Sequence, residues 1–87
     1  MDESWIASFR QKLDEHYAWP ALYTYKFIVP KGKEQEVKDL FPFHPSTERN
    51  SKQGNYTSIT VHVMMQSSDA VVEIYKRAAQ IEGIVAL

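Results

Sequence analysis

Trp5, Ile6, Phe9, Leu13 and Tyr17 recur every three to four positions, with Arg10, Lys12, Asp14 and Glu15 between them. This spacing matches the turn of a helix and predicts an amphipathic helix over 4–17, stopped before Trp19-Pro20 because a residue preceding proline is pushed out of helical geometry. The period then changes to two. In "LYTYKFIVP", Tyr23, Tyr25, Phe27 and Val29 take one side of a strand and Leu22, Thr24, Lys26 and Ile28 the other, with Pro30 and Gly32 closing it. Helical spacing returns over Lys33 to Phe41 through Val37, Leu40 and Phe41, until "PFHPS" breaks it.

A weaker strand is expected around Ser46 to Ser51. Gln53 to Asn55 then turn the chain, with Gly54 and Asn55, the residue types most tolerant of positive φ, setting the hairpin. From Tyr56 to Met65 the alternation is clean: Thr57, Ile59, Val61, Val63 and Met65 suit a core, whereas Tyr56, Ser58, Thr60, His62 and Met64 face away from it. Ser67 or Ser68 can cap a third helix, Asp69 complements its positive end, and Val71, Ile74, Ala78 and Ile81 form its buried stripe up to a stop at Gly83. "IVAL" supplies a short closing strand. The fold class is therefore α+β: one ferredoxin-like domain over 1–87, β-α-β-β-α-β with a four-stranded antiparallel sheet and an extra N-terminal amphipathic helix. Two helices cover one face of the sheet. The leader, rich in aromatic area, is expected to fold back onto the other.

Composition narrows the functions such a fold could carry. At 87 residues the chain buries only roughly 60–65% of its unfolded surface, so it depends on large core side chains. The absence of cysteine excludes disulfides, thiolate metal sites and thiol catalysis. Eleven acidic against ten basic residues leave a net charge of −1, so the overall field gives little steering toward polyanions or anionic membranes. No apolar run approaches the ~20 residues that cross a bilayer, and the acidic start "MDESWIASFRQ" does not read as a secretion signal. A soluble cytoplasmic protein without a membrane partner is expected, and the Asn55-Tyr56-Thr57 sequon is then incidental.

The chemistry-bearing residues exclude more than they assign. A copper chaperone needs a thiolate pair after the first strand, where "PKGKEQ" stands, and an acylphosphatase-type site needs an arginine there, whereas the arginines are Arg10, Arg49 and Arg77. His16, His44 and His62 lack metal-ligand spacing, so no metal and no cofactor are implied. Glu34 with Glu36, and Asp14 with Glu15, read as solvated helix faces. No nucleophile, base and orienting group can be assembled, and the protein is not expected to be an enzyme. Lys31, Gly32 and Lys33 enter the second helix where free N–H groups favour an anion, and are the candidate seat for a small carboxylate or phosphate metabolite. Lys26, Tyr56, Thr60 and His62 form a candidate interaction face. "KQGNYTSITV" loosely echoes an RNA-stacking strand, but Tyr56 is its single platform and Ser58 stands where a second ring would be needed, so nucleic acid is a poor partner.

With these residues in place, the chain resembles the YbeD-like family of small bacterial proteins of unknown function, in particular its Bacteroidetes-type members. "WPALYTYKFIVP", "STERNSKQGNYTSITVHVMM" and "AVVEIYKRAAQIEGIVAL" carry the likeness, with Gly54, Asn55, Tyr56 and Ser58 in order before the terminal "EGIVAL". Lys33 to Pro45 shows no family motif. The resemblance implies a ferredoxin-like fold similar to ACT-type regulatory domains, and the placement of some relatives near lipoate-attachment genes implies a metabolic regulatory role. It supplies no catalytic residues. Two functions follow as expectations: a non-catalytic regulatory or ligand-sensing domain acting through a homo-oligomer or a partner enzyme, or an interaction adaptor using the open sheet face or a strand edge.

Overall fold

The computed structural model describes residues 3–87. Its elements are α1 (Glu3–His16), β1 (Ala21–Pro30), α2 (Glu34–Lys38), β2 (Thr47–Asn50), β3 (Tyr56–Met65), α3 (Ser68–Ala78) and β4 (Val85–Ala86). The four strands form one antiparallel sheet in the order β2-β3-β1-β4, the ferredoxin-like arrangement preceded by an N-terminal helix.

The exact two-residue period of β1 and β3 builds the core. They pair along their whole length, from Ala21 opposite Met65 to Pro30 opposite Tyr56. Tyr23, Tyr25, Phe27 and Val29 therefore meet Val63, Val61, Ile59 and Thr57 on one face, all buried. Each fully buried Val, Ile or Phe contributes roughly 1.5–3 kcal/mol relative to exposure. α3 closes this face with Val71, Val72, Tyr75 and Ala78, and α2 adds Val37. At the start of α3, Ser67 is the cap: its backbone is extended and its Oγ accepts the Ala70 N–H at 3.1 Å.

The leader folds back onto its own domain, but not onto the open face. Ile6 and Leu13 enter the same core as Tyr75, Phe9 meets the Tyr75 ring edge-on at 5.6 Å, and Arg10 pairs with Asp69 at the start of α3. α1 is thus a third helix on the helical side. The physical reason is the chemistry of the two surfaces: the helical side offers aromatic rings at Tyr23 and Tyr75, whereas the opposite side offers Thr24, Lys26, Ser58, Thr60 and His62, against which an apolar stripe gains little.

Two helices end earlier than their apolar spacing suggests. α2 stops at Lys38, and Leu40 and Phe41 pack from the turn that follows. α3 stops at Ala78, and Ile81 is buried from the next turn. Gly83 then redirects the chain with φ +78°, and a Cβ there would lie 2.7 Å from the Pro30 side chain, so the position demands glycine for both conformation and close approach.

Candidate functional site

The uncovered face of the sheet is assembled by strand register. Thr60 of β3 lies between Lys26 of β1 and Thr47 of β2, and in the next row Ser58 lies between Ile28 and Arg49. Directly opposed residues share a face, so Lys26 and Arg49 rise from the two flanking strands on either side of two small hydroxyl residues. Two strand spacings and a two-residue offset along the sheet set their backbones about 12 Å apart. The short side chains between them leave a cleft of about 170 Å³ lined by Lys26, Thr47, Arg49, Ser58 and Thr60. A second cleft of about 370 Å³, with Tyr56 and Ile28 as its apolar walls, adjoins it through Arg49 and Ser58.

The electrostatics of this face are one-sided. Among the described residues, the ion pairs join Arg10 to Asp69, Lys33 to Glu36, Lys38 to Glu48 and Lys76 to Glu73, leaving Lys26 and Arg49 without a carboxylate. Glu48, the one acid on β2, sits opposite Ile59 on the helical side and reaches Lys38 at 2.8 Å. Further along the face, His62 Nδ1 and Thr24 Oγ1 are hydrogen-bonded at 2.8 Å, and Leu22 and Met64 form an exposed apolar pair.

Of the residues singled out in the sequence, Lys26, Tyr56, Thr60 and His62 do share this face. Arg49 also belongs to it and was missed, although the alternation of Thr47 and Arg49 opposite Thr60 and Ser58 was the signal. Gly54 takes φ +74° in the turn joining β2 and β3, while Asn55 keeps a negative φ. Asn55 contributes through its carbonyl, which accepts the Lys31 N–H at 2.9 Å and ties this turn to the end of β1.

That bond also shapes the Lys31-Gly32-Lys33 turn. The Lys33 N–H donates to the Pro30 carbonyl at 3.1 Å, and the Gly32 N–H donates to Glu34 Oε1 at 2.8 Å. All three backbone donors therefore have partners within the chain, and the anion at Gly32 is the protein's own carboxylate. Glu34 Oε2 accepts in addition from the buried Thr57 hydroxyl at 2.6 Å. This hydrogen bond first, and the backbone N–H bonds next, hold the Glu34 carboxyl below the usual glutamate range. A carboxylate so occupied fixes the end of the sheet and is no free base.

The remaining titratable cluster is buried on the helical side. The Tyr23 and Tyr75 hydroxyls are hydrogen-bonded at 2.9 Å, and burial pushes both phenols above their ordinary pKa. Tyr25 is raised likewise, and its buried hydroxyl has no partner among the described residues. Among the described residues, no three His, Asp or Glu side chains converge as a metal site, and no helix is long and apolar enough to cross a membrane.

Comparison with known proteins covers the sheet and the helices α2 and α3, and begins near the end of α1. A family model described as "Protein of unknown function (DUF493)" matches residues 14–87. The chain is 30% identical over 81 residues to a UPF0250 protein of Shewanella piezotolerans, covering 84% of this chain and 91% of that protein. It is 29% identical over 82 residues to a UPF0250 protein of Haemophilus influenzae, covering 84% and 87% respectively. No solved structure matches significantly.

Proposed function

The chain belongs to the DUF493 family of proteins of unknown function, and from that premise we propose that it is a non-catalytic regulatory domain that docks an acidic segment of a partner protein on its open sheet face. The observation that carries this reading is the cleft between Lys26 and Arg49: among the described residues, these are two cations without carboxylate partners on a face with no acidic residue of its own. The flanking hydroxyls of Thr47, Ser58 and Thr60 can donate to the same carboxylate, and Tyr56 with Ile28 offers an apolar wall for an adjoining side chain. Both cations are solvent-exposed and, among the described residues, have no internal carboxylate to displace before they pair with an entering anion. The phenols held protonated by burial and the internally bonded Glu34 support a role without catalysis.

A protein segment is favoured over RNA because, among the described residues, this face carries Tyr56 as its one Phe, Tyr or Trp ring, with the His62 imidazole engaged by Thr24, and a base stacked on one ring contributes only about 1–3 kcal/mol. The test is fluorescence anisotropy with a labelled oligo-glutamate peptide beside a labelled single-stranded RNA at the same ionic strength. Peptide binding that weakens with added salt is expected. Each charge-assisted hydrogen bond contributes about 1.5–3 kcal/mol, so the Lys26→Glu/Arg49→Glu variant should lose binding by roughly two orders of magnitude or more, while Lys52→Glu leaves it intact. Equal binding by the double variant, or tighter binding of the RNA, overturns the proposal.

A further inference from the structure

β1 has ten residues, and its outer edge is paired at only a few of them. Phe27 and Ile28 lie opposite Ala86 and Val85 of β4, and the Leu87 N–H donates to the Lys26 carbonyl at 2.9 Å. Among the described residues, no strand pairs with Ala21 to Tyr25 on that side. In an antiparallel sheet the backbone groups of alternate residues point to the same edge. The direction of the Lys26 carbonyl therefore places the N–H and C=O of Thr24 and Leu22 on the uncovered edge.

Natural sheets guard such edges with charge, proline, bulges or brevity. The other outer strand, β2, is short and carries Glu48 and Arg49. The exposed half of β1 reads Ala-Leu-Tyr-Thr-Tyr, with no charge, no proline and no glycine. It is also rimmed by apolar side chains: Leu22 is 58% exposed, Leu87 63% and Trp5 49%. A cleft of about 240 Å³ opens beside the edge, between Trp5 and Phe9 of α1 on one side and Ala86 and Leu87 on the other, with Tyr23 and Tyr75 as its floor.

We propose that Ala21 to Tyr25 is the seam of a two-fold homodimer in which this half of β1 pairs antiparallel with the same segment of a second copy. Unpaired alternate backbone groups specify a strand as the occupant, and this strand is its own complement. With Tyr23 on the axis, Leu22 of one copy faces Thr24 of the other, so every exposed N–H and C=O of the two residues finds its counterpart. The same register sets Lys26 opposite the mate's Pro20, so no like charges meet across the seam. A two-fold axis perpendicular to the sheet keeps both helical layers on one side and brings the two α1 helices, with their Trp5 side chains, toward each other.

This inference stands independently of the acidic-partner reading, because Lys26 and Arg49 play no part in its hydrogen bonds. The test is sedimentation equilibrium of the full chain from micromolar to millimolar protein, with amide hydrogen exchange at both extremes. A concentration-dependent dimer is expected, with the Leu22 and Thr24 amides gaining protection as it forms. Thr24→Pro removes a donor on the open edge without touching the ladder to β3, and should weaken the dimer at least about tenfold. Leu22→Lys changes an exposed side chain, so it keeps the fold measurable if the proline variant does not, and it should weaken the dimer similarly. A monomer at millimolar concentration overturns the proposal, as does a dimer that both folded variants leave unchanged. Slow exchange at Leu22 and Thr24 in the dilute monomer overturns it too, because the edge would then be covered within one chain.

Discussion

The two faces of this sheet are made from the same two long strands, residue by residue in alternation, and they differ in almost every physical respect. One face presents Tyr25, Phe27, Ile59 and Val61, fully buried under helices, and the other presents Lys26, Thr60 and His62 to solvent within the same stretch of chain. Among the described residues, three helices pack on the first face and none lies over the second. The difference separates the load of stability from the chemistry of the surface: the helical side holds the domain together, and the polar side chains of the open side can vary without strain on the core. It also explains why the leader chose as it did, since apolar rings gain from Tyr75 what they could not gain from hydroxyls and a lysine.

That contrast can be broken most forcefully at neighbouring positions on opposite faces. Phe27→Ala removes a ring that is fully buried and should cost about 3–5 kcal/mol in urea denaturation, whereas the exposed Met64→Ala should stay within about 0.5 kcal/mol. Comparable losses from both would mean that the open face is covered. Next in size is Gly83→Ala, which sets a methyl against Pro30 at a positive φ and should cost about 1–3 kcal/mol by the same measurement.

The tyrosines sharpen the comparison within the helical side itself. Tyr75→Phe leaves the Tyr23 hydroxyl buried without its partner and should cost about 1–3 kcal/mol, whereas Tyr25→Phe removes a hydroxyl that has no partner and should leave stability unchanged or raise it. A loss at Tyr25 as large as at Tyr75 would point to a bond to water at that site.

The smallest expected effect is pH-dependent. Glu34 has a folded-state pKa below its unfolded value of about 4.3, so its contribution is fully present above that value and disappears as pH falls through the lower folded value. The stability difference between the wild type and Glu34→Gln should therefore hold steady near neutrality and shrink below about pH 4.3. A difference that persists unchanged into strong acid would remove the carboxylate's charge from the account.

Much of the fold was legible because β1 and β3 keep a strict period of two over ten residues each, which leaves one register that buries the aromatic and branched side chains together. The destination of α1 was not legible. An amphipathic stripe states that a helix has an apolar side but not which surface receives it, and that answer depended on Tyr75, distant in sequence, and on the Arg10–Asp69 pair. The helix ends were overrun for a related reason: Phe41 and Ile81 are core residues at helical spacing that pack from turns. At the candidate site, Lys26, Tyr56, Thr60 and His62 followed from alternation alone, but Arg49 required knowing how a four-residue strand pairs. The internal use of the Gly32 N–H required knowing that Glu34 folds back on the turn it follows.

The tryptophans lie on one side of these boundaries, with an optical consequence. Trp5 stacks on Phe9 within α1, and Trp19, just beyond the helix, stacks on Tyr17 and donates its indole N–H to Asp14 at 2.9 Å. Neither looks onto the cleft of Lys26 and Arg49. Intrinsic indole emission is therefore a reporter of the leader and of the β1 edge beside Trp5, and an occupant of the open face would leave it unchanged, meeting only the Tyr56 phenol as a native chromophore.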